Sequence, residues 1–107
     1  MRERKIAIYE AAIAQCPRFE RKGKANPYTA ANGHMFSQIN KDDQLGIRFS
    51  KEQQQAYFEE LDTGPFLSYG SVMRGYVLMP DWILDDPAKL AALLNEGYDY
   101  VNTLEPK

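Results

Sequence analysis

Few residues in this sequence carry side chains able to do bond-making chemistry. His34 is the only histidine, and it follows Asn32-Gly33. A metal needs several N, S or O ligands at one point, and a general base needs a nucleophile within hydrogen-bond reach. No motif around His34 supplies either. Cys16 is the only cysteine. A reactive thiolate needs a nearby cation or a helix N-terminus, and Cys16 falls at the end of a predicted helix, where the dipole disfavours an anion. It suits a small buried hydrophobe there. The acidic pairs Asp42-Asp43, Glu59-Glu60 and Asp85-Asp86 are adjacent in sequence. Neighbours on a helix or strand point in different directions, so these pairs read as turn, cap and solvated-face residues. Gly70 and Gly75 lack the Lys-Ser/Thr that follows a phosphate loop, and read as a turn and a strand bend. The expectation is a chain with no catalytic residue, no metal and no cofactor.

Contact chemistry is better represented. Arg21, Lys22, Lys24 and Tyr28 join cations to an aromatic, a combination that can meet phosphates and a stacked base. With Arg18 they belong to a basic end. Residues 1–24 carry seven cations against three anions, and residues 25–107 six against twelve. A charged loop entering a strand is the plainer account. Arg74, between the two glycines, is a further candidate contact on a strand. Tyr28, Phe36, Tyr69, Tyr76 and Trp82 are either core or the lining of a small-molecule pocket between sheet and helices.

The elements that position these residues follow from periodicity. Ile6, Tyr9, Ile13 and Cys16 are spaced by threes and fours, which predicts a helix from Arg2 to Cys16, stopped by Pro17. Asn32-Gly33 between two apolar runs predicts a hairpin. The second run, His34 to Ile39, alternates imperfectly. Leu45, Ile47 and Phe49 alternate with Gln44, Gly46 and Arg48, a strand with one buried face. Ser50 with Gln53 matches a capping box; Tyr57, Phe58 and Leu61 form the helix stripe, and Asp62-Thr63-Gly64-Pro65 ends it. Strands are predicted at Phe66–Tyr69 and Val72–Met79, and a short helical turn at 81–86. Asp86-Pro87 starts a last helix whose apolar face is Leu90, Leu93, Leu94, Gly97, Val101 and Leu104. The order is α-β-β-β-α-β-β-α. It predicts an α+β fold of two layers, with helices on one face of a five-stranded antiparallel sheet.

Several stretches resemble the TfoX N-terminal domain family. They are Asn32-Gly33-His34-Met35-Phe36, then Gly70-Ser71-Val72-Met73-Arg74-Gly75-Tyr76-Val77, then Leu84-Asp85-Asp86-Pro87 and Leu104-Glu105-Pro106-Lys107. Their order and spacing carry the resemblance over about residues 18–107. It implies a secretion-chaperone-like fold, a bacterial origin and no catalytic residues. The chain differs where many members carry Met-Phe-Gly-Gly; here Lys22 to Thr29 stands instead, as in a divergent subgroup. Competence regulators of the family carry a further C-terminal domain. The chain ends at Lys107 without one, so their role is not expected here.

Composition narrows the rest. The 107 residues are 44% hydrophobic and 26% charged, which suits one globular domain over residues 1–107 and excludes a disordered chain. No stretch approaches the ~18 apolar residues of a membrane span. The N-terminus has no secretory pattern, and a lone cysteine fits a reducing compartment, so a cytoplasmic protein is expected. The favoured function is a non-enzymatic interaction or regulatory module. Its partner is a protein, a second copy included; a nucleic-acid-associated module and a small-molecule-binding domain are the alternatives.

Overall fold

The computed structural model describes residues 2–68 and 70–107, with Arg2 described by its backbone alone. Met1 and Tyr69 lie outside the described residues. Helix α1 spans Arg2–Ala14. It stops two residues before the predicted end. Gln15 N–H and Cys16 N–H bond back to Ala12 and Ile13 in tighter i→i+3 turns, because a residue before proline is pushed out of the α region. Tyr9, Ile13 and Cys16 are buried as the spacing predicts.

Strands β1 (Tyr28–Ala31) and β2 (His34–Ile39) form the predicted hairpin. Asn32 and Gly33 take φ of +57° and +80°, the left-handed pair that a two-residue hairpin turn demands. Thr29 pairs with Ser37, but Ala30 pairs with Met35, so Phe36 is an extra residue on β2. This bulge is the reason for the imperfect alternation. It lets Phe36 and Ser37, though adjacent, both bury toward the helices. Strand β3 is Leu45–Arg48.

Helix α2 is Lys51–Glu60 and closes its capping box with Gln53 N–H to Ser50 Oγ at 3.2 Å and Ser50 N–H to Gln53 Oε1 at 3.0 Å. It ends in a Schellman arrangement. Asp62, at φ +52°, donates to Glu59 O, and Thr63 donates to Phe58 O. Strand β4 is Pro65–Ser68 and β5 is Ser71–Leu78, each starting one residue before its predicted start. Helices α3 (Asp81–Leu84) and α4 (Pro87–Val101) follow; Asp86 caps α4 through Lys89 N–H at 3.2 Å.

All strand pairs are antiparallel, in the order β1-β2-β3-β5-β4. The helices pack on one face, as expected: α4 lies over β1, β2 and β3, α1 lies against α4, and α2 lies against β5. The core between the layers joins Tyr9, Ile13, Ile39, Leu45, Ile47, Phe49, Val77, Leu90 and Leu94. Among the described residues, no helix is long and apolar enough to cross a membrane.

The sheet's other face is partly covered by the chain itself. Gly46, between core-facing Leu45 and Ile47, turns to that face by alternation. A side chain there would begin 2.4 Å from the Phe66 ring. Asn40 Nδ2 donates to Leu67 O at 2.7 Å, yet β2 and β4 are three places apart in the sheet. Three spacings amount to roughly 14 Å in a flat sheet. The β4–β5 hairpin therefore folds across the face. Gly75, at φ +88°, makes the bend, and the pairing slips there: Pro65 pairs with Val77 but Leu67 with Val72. Phe66 and Tyr76 are buried beneath, with ring centroids 5.8 Å apart.

Candidate functional site

The basic end is largely neutralised within the chain. Arg4 lies 4.0 Å from Asp85, and Lys5 lies 3.8 Å from Asp81. Arg18 donates to Asp99 Oδ1 at 2.7 Å and Asn95 Oδ1 at 3.0 Å, with its guanidinium 4.4 Å over the Tyr98 ring. Arg21 Nε lies 3.1 Å from Glu10 Oε2, an ion pair without an aligned hydrogen bond. The other Arg21 nitrogens donate to Gly23 O and Lys24 O, which ties the loop together.

Lys22 and Lys24 are exposed. The Lys22 backbone exchanges bonds of 2.8 and 3.0 Å with Tyr28. The half-buried Tyr28 ring covers Gly23, 3.0 Å from where a side chain there would begin. Two of the five residues 18, 21, 22, 24 and 28 are thus cations already engaged, and the aromatic is folded against its own loop.

His34 places Nε2 2.8 Å from Glu105 O. Asn32 Nδ2 donates to Val101 O and Leu104 O at 3.0 and 2.9 Å, and Lys107 N–H donates to Asn32 O. The hairpin turn therefore clasps the end of α4. Cys16 is buried, with its thiol against Ala12 O and Ala91 O. Burial pushes its pKa up against the opposing pull of Asn95 and Arg18. Tyr9, fully buried, shares its hydroxyl with Ser37 Oγ at 2.5 Å, and Ser37 also bonds Thr29. Burial raises the Tyr9 phenol far above its ordinary value. These are core groups whose polar atoms are satisfied.

The aromatics named as pocket candidates are dispersed. Phe36 is buried under α4 against Phe19 and Tyr98. Tyr76 lies on the opposite sheet face, where its hydroxyl donates to Met35 O at 2.8 Å. Trp82 is 52% exposed on α3, and Tyr69 lies outside the described residues. Of the open grooves, one of about 330 Å³ runs between α1 and α3, lined by Arg4, Lys5, Ile8, Asp81, Leu84 and Asp85. Another of about 450 Å³ runs between α2 and α4, lined by Ser50, Gln53, Glu96, Asp99, Tyr100 and Thr103. In the second, Glu96 accepts from Tyr57 Oη and Gln53 Nε2. Burial first, and Glu96 next, raise the Tyr57 phenol. Among the described residues, no group of three His, Cys, Asp or Glu converges as a metal site.

The β4–β5 hairpin presents a different surface. Leu67 and Val72 are cross-strand partners, 44% and 62% exposed. With Trp82 they are the large exposed hydrophobics among the described residues. Arg74 is exposed two residues further along β5, beside the Gly75 bend. Beneath the bend lies Arg48, the last residue of β3. Its Cγ and Nε come within 3.4 Å of where a Gly75 side chain would begin, and its guanidinium lies 5.8 Å from the Tyr100 ring. Its Nε is buried with no hydrogen-bond partner among the described residues.

Sequence reasoning named Arg74 but missed Leu67, Val72 and Arg48. The adjacent pair Phe66-Leu67 was the available signal, since one of two neighbours on a strand must face away from the other. Nothing local marks Arg48. Comparison with protein-family models, with curated proteins and with solved structures finds no match to this chain.

Proposed function

We propose that this protein is a non-enzymatic interaction or regulatory module of the TfoX N-terminal kind, acting in the cytoplasm. Its partner is another protein, a second copy of the chain included, and it docks through the β4–β5 hairpin. The observation that carries this reading is the exposed cross-strand pair Leu67–Val72 on the hairpin of an edge strand. Edge strands offer backbone and side chains to partners, and exposed apolar pairs lose free energy to water until they are covered. The buried Cys16 supports a reducing compartment. A nucleic-acid reading is supported only by Lys22 and Lys24, since Arg18 and Arg21 are engaged within the chain.

The test is sedimentation velocity across a concentration series, paired with affinity capture from lysate, for the wild type and the double variant Leu67→Asp/Val72→Asp. The wild type is expected to self-associate or retain a protein. The variant is expected to do neither while keeping its circular dichroism and melting midpoint. Association undiminished in the variant would refute the hairpin as the docking surface. Steeply salt-dependent binding to DNA or RNA would favour the other reading.

A further inference from the structure

An asparagine followed by glycine is open to attack by its own backbone, because glycine places no side chain in the way. Asn32-Gly33 is the one such pair in the sequence; Asn26, Asn40, Asn95 and Asn102 precede Pro27, Lys41, Glu96 and Thr103. In that reaction the Gly33 nitrogen bonds to the Asn32 amide carbon and the bond from that carbon to Nδ2 breaks. The proton lost by Gly33 leaves with Nδ2 as ammonia. Water then opens the five-membered ring to aspartate or isoaspartate.

The fold holds this pair shut. Asn32 Nδ2 donates to Val101 O at 3.0 Å and to Leu104 O at 2.9 Å, so both amide hydrogens are committed. A nitrogen held by two acceptors departs only after both bonds break. The backbone is held as well: Asn32 sits at φ +57° in the turn, and its carbonyl accepts from Lys107 N–H at 3.2 Å. Lys107 also covers Gly33, where a side chain would begin 2.5 Å from Lys107 O. His34 Nε2, 2.8 Å from Glu105 O, adds another tie.

The same contacts make conversion consequential. A carboxylate has no donor for Val101 O and Leu104 O, and it meets them at the negative end of the α4 dipole. The last turn of α4 carries no basic side chain to offset the charge. Isoaspartate also lengthens the backbone of a turn whose pairing requires two residues.

We propose that Asn32 is a deamidation site gated by the clasp on α4, and that its conversion unlatches residues 102–107 from the β1–β2 turn. The device runs one way: opening the clasp frees the amide, and the acid formed keeps the clasp from closing. It rests on the clasp alone and not on docking through the β4–β5 hairpin.

The experiment incubates the full chain at mildly alkaline pH, native and in urea. Peptide mass spectrometry reads each asparagine by the mass gained when an amide becomes an acid. In urea, position 32 is expected to convert ahead of the other asparagines. In the native chain it should convert at least about tenfold more slowly, since the clasp must open first. Lys107→Pro removes the donor to Asn32 O. It should raise the native rate roughly threefold or more, with the rate in urea and the melting midpoint unchanged. No preference for position 32 in urea overturns the site. Equal native and urea rates overturn the gate, and so does a Lys107→Pro rate equal to wild type, which would make global unfolding the gate. The second readout is amide hydrogen exchange, on converted protein refolded from urea and on Asn32→Asp, which needs no refolding. Leu104 and Lys107 are expected to lose protection while Leu94, in the middle of α4, keeps it. Protection kept at Leu104 and Lys107, or lost at Leu94 as well, overturns the local unlatching.

Discussion

The N-terminal basic end and the β4–β5 hairpin region both present groups that would prefer company. At the basic end the chain supplies that company itself. Arg4, Lys5 and Arg18 meet Asp85, Asp81 and Asp99, which all belong to the acidic remainder. The charge asymmetry along the sequence is thus partly cancelled in space. At the hairpin the chain supplies less. Leu67 and Val72 stay exposed, and among the described residues the buried Arg48 Nε has no hydrogen-bond partner. Charge counted along a sequence therefore overstates what a surface offers, and a partner is better sought where the fold leaves groups unanswered.

The hairpin is exposed on one side only, and its inner side is the first place to break the comparison. Phe66 is fully buried against Gly46 and Tyr76. Phe66→Ala should cost about 3–5 kcal/mol of stability in urea unfolding. A loss below about 1 kcal/mol would mean that the hairpin is not packed down on the sheet.

A second test sharpens the contrast from the core. Tyr9, Tyr57 and Tyr76 have phenols raised by burial. Above about pH 10 the unfolded chain releases protons that the native protein retains. Their contribution is fully present below that pH and is lost as pH rises toward the native values. Denaturation midpoints should fall steadily above pH 10, and Tyr9→Phe should flatten that fall. A midpoint level to pH 11.5 would contradict the burial of these hydroxyls.

The smallest effect belongs to the basic end. The Arg18–Asp99 pair is exposed on both sides, and such pairs are screened by salt. Arg18→Ala should shift the melting midpoint far less than Phe66→Ala, and less again in 1 M sodium chloride. Equal shifts for the two variants would erase the distinction drawn between the regions.

Some of this was legible residue by residue. The Asn32-Gly33 turn, the Ser50–Gln53 box and the Asp86-Pro87 helix start are local chemistry, and each stands where it was read. The α4 face was read correctly through Val101, with Leu104 falling beyond the helix and only half-buried. The Phe36 bulge left a trace, as a broken alternation, but its cause needed the pairing with β1. The candidate site was barely legible. Arg74 and the cations at 21, 22 and 24 were visible as charges, yet which of them are engaged depends on Glu10, Asp99 and loop carbonyls.

By itself the sequence determined the elements, their order and the α+β class, because turns, caps and periodicity act over a few residues. Only the tertiary structure decided that β5 inserts between β3 and β4, and that their hairpin folds over the sheet. It also decided that the Asn32 turn clasps the end of α4, and that Arg48 Nε is buried without a hydrogen-bond partner among the described residues. The reason is that burial and pairing depend on which distant residues arrive together, and sequence spacing alone does not specify that meeting.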